Sequence, residues 1–170
     1  MKQKIAVEPL SRRNIRSITW ELRKQFGLQN KLYFPVLQFI EWVLPEFGMY
    51  SEIVSYEEMG DAYGVTHTRK GIMSIREDVY IRAVQGHARD RFTLCHELGH
   101  FLLHTPDRVS FARGNVPAYM DPEWQANAFA GELMAPYYLV KNMTPYDMSS
   151  KCGMSLMAAE IQYNEYHKVV

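Results

Sequence analysis

Two histidines with a glutamate between them are the residues of this sequence whose types and spacing indicate metal chemistry. His96, Glu97 and His100 form the pattern H-E-x-x-H. In a helix, histidines at positions i and i+4 share one face, about 5–6 Å apart at Cβ, so both imidazoles can bind one ion. Glu97 lies about 100° further round the helix, where its carboxylate can accept a proton from a water molecule on that ion. The pattern therefore predicts a metal site with Glu97 as the general base.

The surroundings of these residues favour a metal over an ordinary core helix. The neighbouring residues are apolar nearly all round the helix, which predicts a central, buried position: Phe92, Leu94, Cys95, Leu98, Phe101, Leu102 and Leu103. A buried polar group without a partner costs roughly 1–3 kcal/mol, and one ion would provide a partner for the whole set. In the alternative interpretation, backbone carbonyls or carboxylates satisfy the two histidines.

A catalytic zinc site needs a third protein ligand, and Glu123 is the best candidate in the sequence. Catalytic zinc usually has three protein ligands and keeps one position open for water. Glu123 lies at the start of a second predicted helix, on the same face as Asn127 and two alanines that allow close helix packing. Asn127 can then orient a ligating imidazole through its other ring nitrogen. Glu123 could also simply stabilise the helix N-terminus.

Other polar residues near the motif are weaker candidates for the third ligand. His104 is eight residues from His96 on the same helix, about 12 Å along the axis, too far to share an ion with it. We therefore expect His104 to support the ligands rather than to bind the ion. The remaining candidates are Asp121, Glu132 and His87. A set of two histidines and one glutamate favours Zn²⁺, with Mn²⁺ also possible.

The elements that must position these residues follow from apolar periodicity and from turn residues. Helices are predicted at 13–26, 35–44, 78–84, 89–104 and 122–134, followed by two helical segments around Gly153, and strands at 53–56, 63–68 and 71–76. The pattern indicates an α+β fold, mainly helical with a small sheet. A length of 170 residues fits one domain, residues 1–170, with N-terminal helices (1–50), a core (51–143) and a C-terminal helical tail (144–170).

Composition excludes several classes of protein. The chain is 47% hydrophobic and 22% charged with a formal net charge of zero, which is typical of a globular protein and argues against a broadly basic nucleic-acid binder. No apolar run reaches the length of a membrane span, and the N-terminus lacks the apolar core of a secretory signal. Two cysteines are too few for a disulfide framework, so we expect a cytoplasmic protein.

Residues 148–161 of the C-terminal tail have a helix–glycine–helix pattern, which could indicate a DNA-binding unit. Residues 114–170, however, carry three lysines, no arginine and six acidic residues, a net charge of −3. This charge argues against direct nucleic-acid contact and favours a packing or protein-binding role for the tail.

The segments RFTLCHELGHFLLH and DPEWQANAFAGELMAP resemble the ImmA/IrrE-type metallopeptidases, a zincin family. The resemblance covers about 61–136, with the tail at 148–161 less similar. It implies that His96, His100 and Glu123 bind the metal, as in gluzincins, and that Glu97 is the general base. It also implies a thermolysin-like core with a small three-stranded sheet beside the active-site helix. Cys95 replaces the family's usual alanine, either as an inert buried thiol or as a redox switch.

The resemblance further implies a substrate and a way of binding it. We expect strand 71–76 to be the sheet edge and to hold an extended peptide by β-augmentation through Ile72, Met73, Ser74 and Ile75. Family members cleave helix-turn-helix transcriptional repressors, which derepresses stress, prophage or mobile-element genes. The alternatives are a non-catalytic regulator-binding protein with a structural or vestigial metal site, and another metal-dependent hydrolase such as an amidase. A side chain should also stabilise the oxyanion that forms when water attacks the peptide carbonyl. The candidates that the sequence offers for this role are His87, Arg91, Tyr119 and His104.

Overall fold

The computed structural model describes residues 4–112 and 115–168 of the chain. The predicted domain 1–170 therefore includes residues 1–3, 113–114 and 169–170, which lie outside the described part. After strand β1 (Lys4–Val7), helix α1 spans Arg12–Gln25. The side chain of Ser11 accepts from the backbone N–H of Asn14, and the Asn14 side chain accepts from the Ser11 N–H, so α1 begins with a reciprocal cap. The predicted first helix is confirmed.

The second predicted helix changes its winding partway along. It starts as α2 (Val36–Gln38), continues as a π-helix (Phe39–Val43) and ends as a 3₁₀ turn (Leu44–Phe47) at Gly48, which has a φ of 72°. Pro45 has no N–H to donate to the preceding turn, and its ring obstructs regular α-helical winding. The Leu44 N–H bonds to the Phe39 carbonyl, five residues back, as in a π-helix.

The sheet beside the central helices is formed by β2 (Tyr50–Val54), β3 (Gly64–His67) and β4 (Ile72–Arg76), with the short helix α3 (Tyr56–Met59) between β2 and β3. Strand order is β2-β4-β3; β4 pairs in parallel with β2 and antiparallel with β3. The hairpin between β3 and β4 turns at Gly71, which has a φ of 68°.

The prediction that strand 71–76 is the sheet edge is wrong, because β4 is the central strand. Its backbone groups are paired on both sides, so it cannot accept another strand. Of the proposed peptide-binding residues Ile72, Met73, Ser74 and Ile75, the last three are also buried. Burial on both faces is typical of a central strand, and in β4 it extends to the polar residues Ser74 and Arg76. Among the described residues, the outer strands of this sheet are β2 and β3.

The remaining elements enclose the core. Helix α4 spans Glu77–Val84, α5 spans Ala88–Leu103, and β5 (Val109–Ala112) pairs antiparallel with β1 from Lys4↔Ala112 to Val7↔Val109. Helix α6 spans Pro122–Met134 and is followed by α7 (Tyr137–Val140), α8 (Pro145–Cys152) and α9 (Leu156–Tyr166). None of the helices in the described ranges combines the length and the apolar content of a membrane span.

Close packing of α5 on α6 forms the centre of the molecule. A Cβ atom built on Gly99 of α5 would lie 3.1 Å from Phe129 Cδ1 and 3.2 Å from the Cα of Ala126, both on α6. Leu94, Leu98 and Phe129 are fully buried beside this contact. The predicted α+β class, with mainly helical structure and a small three-stranded sheet, is confirmed.

Candidate metal centre

The packing of α5 on α6 brings three potential metal ligands together. His96 Nε2 and His100 Nε2 lie 2.9 Å apart on one face of α5. From the first turn of α6, Glu123 places Oε2 3.3 Å from His96 Nε2 and Oε1 3.3 Å from His100 Nε2. Because the Glu123 side chain is 67% exposed, the cluster is open to solvent on that side.

The donor atoms fit a divalent ion such as zinc. Zinc bonds to nitrogen and oxygen are about 2.0–2.1 Å long, so neighbouring donors in a tetrahedral site lie roughly 3.3 Å apart. The two 3.3 Å distances, each to a different oxygen of Glu123, match that spacing, and the 2.9 Å between the two Nε2 atoms is somewhat shorter. Burial, and then the nearby charge of His96, lower the pKa of His100 to about 4. His100 is therefore neutral at pH 7, as a metal ligand must be.

Strand β3 holds Glu97 beside these ligands. The Thr66 hydroxyl donates to Glu97 Oε2 over 2.7 Å, and the Glu97 side chain is largely buried. A Cβ atom at Gly64 would lie 2.7 Å from Glu97 Cγ, so this position of β3 leaves no room for a side chain. The pKa of Glu97 is raised, mainly by burial and also by the charge of Glu123, against the opposing effects of Thr66 and nearby histidines.

The ring of His96 is oriented by the residue one turn beyond Glu123. Asn127 Oδ1 lies 2.9 Å from His96 Nδ1. An amide oxygen only accepts, so Nδ1 carries the proton and Nε2 keeps a free lone pair towards the other donors. Asn127 thus lies where the spacing of α6 predicts it.

Hydrogen bonds that run from Gln125 through His104 to His100 set the tautomer of His100. Gln125 Nε2 lies 2.8 Å from the carbonyls of both Glu8 and Tyr119, so the amide nitrogen is fixed on that side. Gln125 Oε1 therefore accepts from His104 Nε2, 3.1 Å away. The free His104 Nδ1 accepts from His100 Nδ1 at 2.9 Å, which leaves His100 Nε2 unprotonated. Burial, and then the charge of His100, lower the pKa of His104 to about 4, so its ring is neutral.

The structure separates the other candidate ligands from the cluster. His87 is the exposed residue that precedes α5. Asp121 caps α6 by accepting from the backbone N–H groups of Glu123 and Trp124. Glu132 is buried elsewhere, 3.2 Å from Arg12 Nε and 3.1 Å from Arg16 Nε. The candidate metal group therefore contains only His96, His100 and Glu123 among the described residues.

Two further sequence-based candidates have other roles. Arg91 stacks on Tyr33, with Cζ 3.6 Å from the ring centroid, and donates to the carbonyls of Phe34 and Gly153, so it is not free to stabilise an oxyanion. Cys95 is fully buried, and burial raises the pKa of its thiol to about 12. This environment favours the inert thiol over the redox switch.

Sequence reasoning missed Thr66, Gly64 and Gln125. A glycine within a strand does signal close approach of another group, although not which group. Gln125 gives no such signal, because its partners Glu8 and His104 are 117 and 21 residues away in the sequence.

Comparison with known families is consistent with this geometry. The family model of the IrrE N-terminal-like domain, a peptidase family, matches residues 53–160. The chain therefore belongs to this family, and its α+β fold has a zincin-like core. No match was found among curated proteins. Family membership supports a function of the metallopeptidase type.

Proposed function

We propose that this protein is a zinc-dependent endopeptidase that cleaves a helix-turn-helix transcriptional repressor. The observation that carries the proposal is the group of His96, His100 and Glu123 donor atoms, which fits one ion and lies next to the buried carboxylate of Glu97. Mn²⁺ could replace Zn²⁺ in the same ligand set.

The proposed reaction is hydrolysis of a peptide bond by water. A bound divalent ion supplies Lewis-acid chemistry, polarising the substrate carbonyl and lowering the pKa of a water molecule towards about 7. Glu97 takes a proton from that water and returns it to the amine of the cleaved bond. The Thr66 hydroxyl holds the carboxylate in place, while Asn127 and His104 keep the two imidazoles in the required tautomer.

The choice of substrate and location rests on the family resemblance and on charge. Repressors of this type are cytoplasmic DNA-binding proteins, so we place the peptidase in the cytoplasm. The acidic C-terminal region argues for recognition of the repressor protein rather than of its DNA. Cleavage would remove repression of stress, prophage or mobile-element genes.

The test compares the wild type with Glu97→Gln, which keeps the size of the side chain and removes its basicity. Both zinc-loaded proteins are incubated with a purified helix-turn-helix protein encoded beside the gene, and the products are analysed by mass spectrometry. We expect two repressor fragments with the wild type and none with Glu97→Gln, although both bind zinc. If both proteins bind the repressor and neither cleaves it, the non-catalytic regulator-binding alternative replaces this proposal.

A further inference from the structure

The outer edge of strand β2 is open to a further strand. The Tyr50 N–H bonds to the Gly71 carbonyl, at the start of the parallel ladder with β4. Backbone groups of successive residues point to opposite sides of a strand, so the N–H and C=O groups of Ser51 and Ile53 point away from β4. No strand in the described ranges pairs with this side of β2. The edge is therefore a template on which another chain can pair.

Large apolar side chains are exposed around this edge. Tyr50 and Ile53 of β2 are exposed, and so is Phe47, which lies just before the strand. The helical segment that precedes β2 and helix α4 both contact the strand, and they add the exposed side chains of Trp42 and Val84. Exposed apolar groups beside an open strand edge are typical of a protein-binding surface.

The charge of this region indicates which kind of partner fits it. Residues 32–68 contain six acidic residues and no lysine or arginine, a net charge of −6. Four of these acids are exposed on β2 or within four residues of it: Glu46, Glu52, Glu57 and Glu58. Two copies of this chain paired through β2 would bring like charges together, which disfavours a homodimer. A segment that carries lysine or arginine is attracted instead.

The edge of β2 lies on the opposite side of the sheet from the metal centre. Strand order is β2-β4-β3, and Thr66 of β3 holds the carboxylate of Glu97. Because neighbouring strands are about 4.8 Å apart, β2 is roughly 10 Å from β3. A segment bound on β2 would therefore leave the metal ligands free for another part of the same substrate molecule.

We propose that the open edge of β2 binds an extended segment of the repressor in which lysine or arginine residues accompany apolar ones. The inference rests on the proposed function and adds a contact with the substrate away from the metal centre. A DNA-binding repressor carries basic residues for contact with phosphates, so it offers the complementary charge. The bound segment adds a fourth strand to the sheet and packs its apolar side chains on Tyr50 and Ile53.

The test compares variants of the strand edge. Ile53→Pro removes one outward N–H, and proline is tolerated on an edge strand where the N–H position faces solvent. Ile53→Thr keeps that N–H and the branched side chain, so it is the matched control for the backbone change. Glu46→Lys reverses one exposed charge beside the edge, and Glu160→Lys makes the same change at an exposed position of α9. Thermal unfolding establishes that each variant is folded.

The first readout is binding, which does not depend on activity. Zinc-loaded Glu97→Gln protein is mixed with the purified helix-turn-helix protein encoded beside the gene, and amide hydrogen exchange is followed by NMR. We expect exchange of the Ser51 and Ile53 N–H groups to slow by about tenfold or more, and exchange of the Glu52 N–H, which faces β4, to change little. In the same background, Ile53→Pro weakens binding by about tenfold and Ile53→Thr by less. Glu46→Lys also weakens binding, whereas Glu160→Lys does not.

The second readout is cleavage by proteins that retain Glu97. Ile53→Pro lowers kcat/KM for the full-length repressor by about tenfold, and it cleaves a short peptide that spans the cut bond as the wild type does, because such a peptide does not reach β2. Cleavage of the repressor without slowed exchange at Ser51 and Ile53, or with an unchanged kcat/KM in folded Ile53→Pro, overturns the edge proposal and leaves the proposed function standing. Slowed exchange without cleavage supports the edge and counts against the proposed function, and absence of both effects overturns both.

Discussion

Removal of the His104 ring should weaken zinc binding although His104 is not a ligand. In His104→Phe, the Nδ1–H of His100 loses its acceptor, which lies 2.9 Å away in the wild type. Gln125 Oε1 loses its donor at the same time. His100 is then free to adopt the tautomer that carries its proton on Nε2, which cannot bind metal.

The size of the effect follows from the role of this hydrogen bond. Loss of a partner that orients a metal-binding histidine typically weakens metal affinity by about 10- to 100-fold. At about 1.4 kcal/mol for each tenfold change, this corresponds to roughly 1.4–2.8 kcal/mol of zinc-binding free energy. The buried phenyl ring fills most of the space of the imidazole, so we expect the fold to persist.

The assay is competition for zinc with a chromophoric chelator at pH 7, with unfolding of the metal-free proteins measured in parallel. His87→Phe is the matched control, because His87 precedes the same helix, is exposed and makes no side-chain capping bond. We expect His87→Phe to bind zinc as the wild type does. Wild-type affinity in a folded His104→Phe protein would refute the proposed control of the His100 tautomer.

Two further predictions concern the base and the core. Thr66→Val removes the 2.7 Å hydrogen bond to Glu97 at nearly constant side-chain volume. Because hydrogen bonds to charged groups contribute about 1.5–3 kcal/mol, we expect kcat to fall by roughly 10- to 100-fold while zinc affinity stays unchanged. An unchanged kcat would contradict the role of Thr66 in holding Glu97. Glu132→Ala leaves the side chains of Arg12 and Arg16 without their buried carboxylate partner. We expect the free energy of unfolding, measured by urea denaturation, to fall by about 3–5 kcal/mol. A fall of less than about 1 kcal/mol would contradict a stabilising role for this ion-pair cluster.

The parts of the site that follow local periodicity could be predicted from the sequence. The i, i+4 spacing within α5 is enough to place His96 and His100 on one face, and the Asp121-Pro122 signal is enough to start α6. The relation between the two helices also had a local signal, because small residues on α6 permit close approach. The sequence therefore predicts Glu123 and Asn127 as residues of the site.

The parts that depend on pairing between distant segments could not be predicted. The position of β4 at the centre of the sheet depends on β2, which pairs with it in parallel from about 20 residues earlier in the chain. The pairing of β1 with β5 joins segments about 100 residues apart, and each strand has only four residues. Strand patterns report which residues are buried and do not report the order of strands in a sheet.

The most direct test of the central claim is a crystal structure of the zinc-loaded protein with anomalous diffraction recorded at the zinc absorption edge. We predict one anomalous peak per chain, about 2.0–2.1 Å from His96 Nε2, His100 Nε2 and a Glu123 oxygen, with Glu97 not bound to the ion. A zinc ion bound at a different group of residues, or no zinc at a concentration that saturates related sites, would contradict the claim.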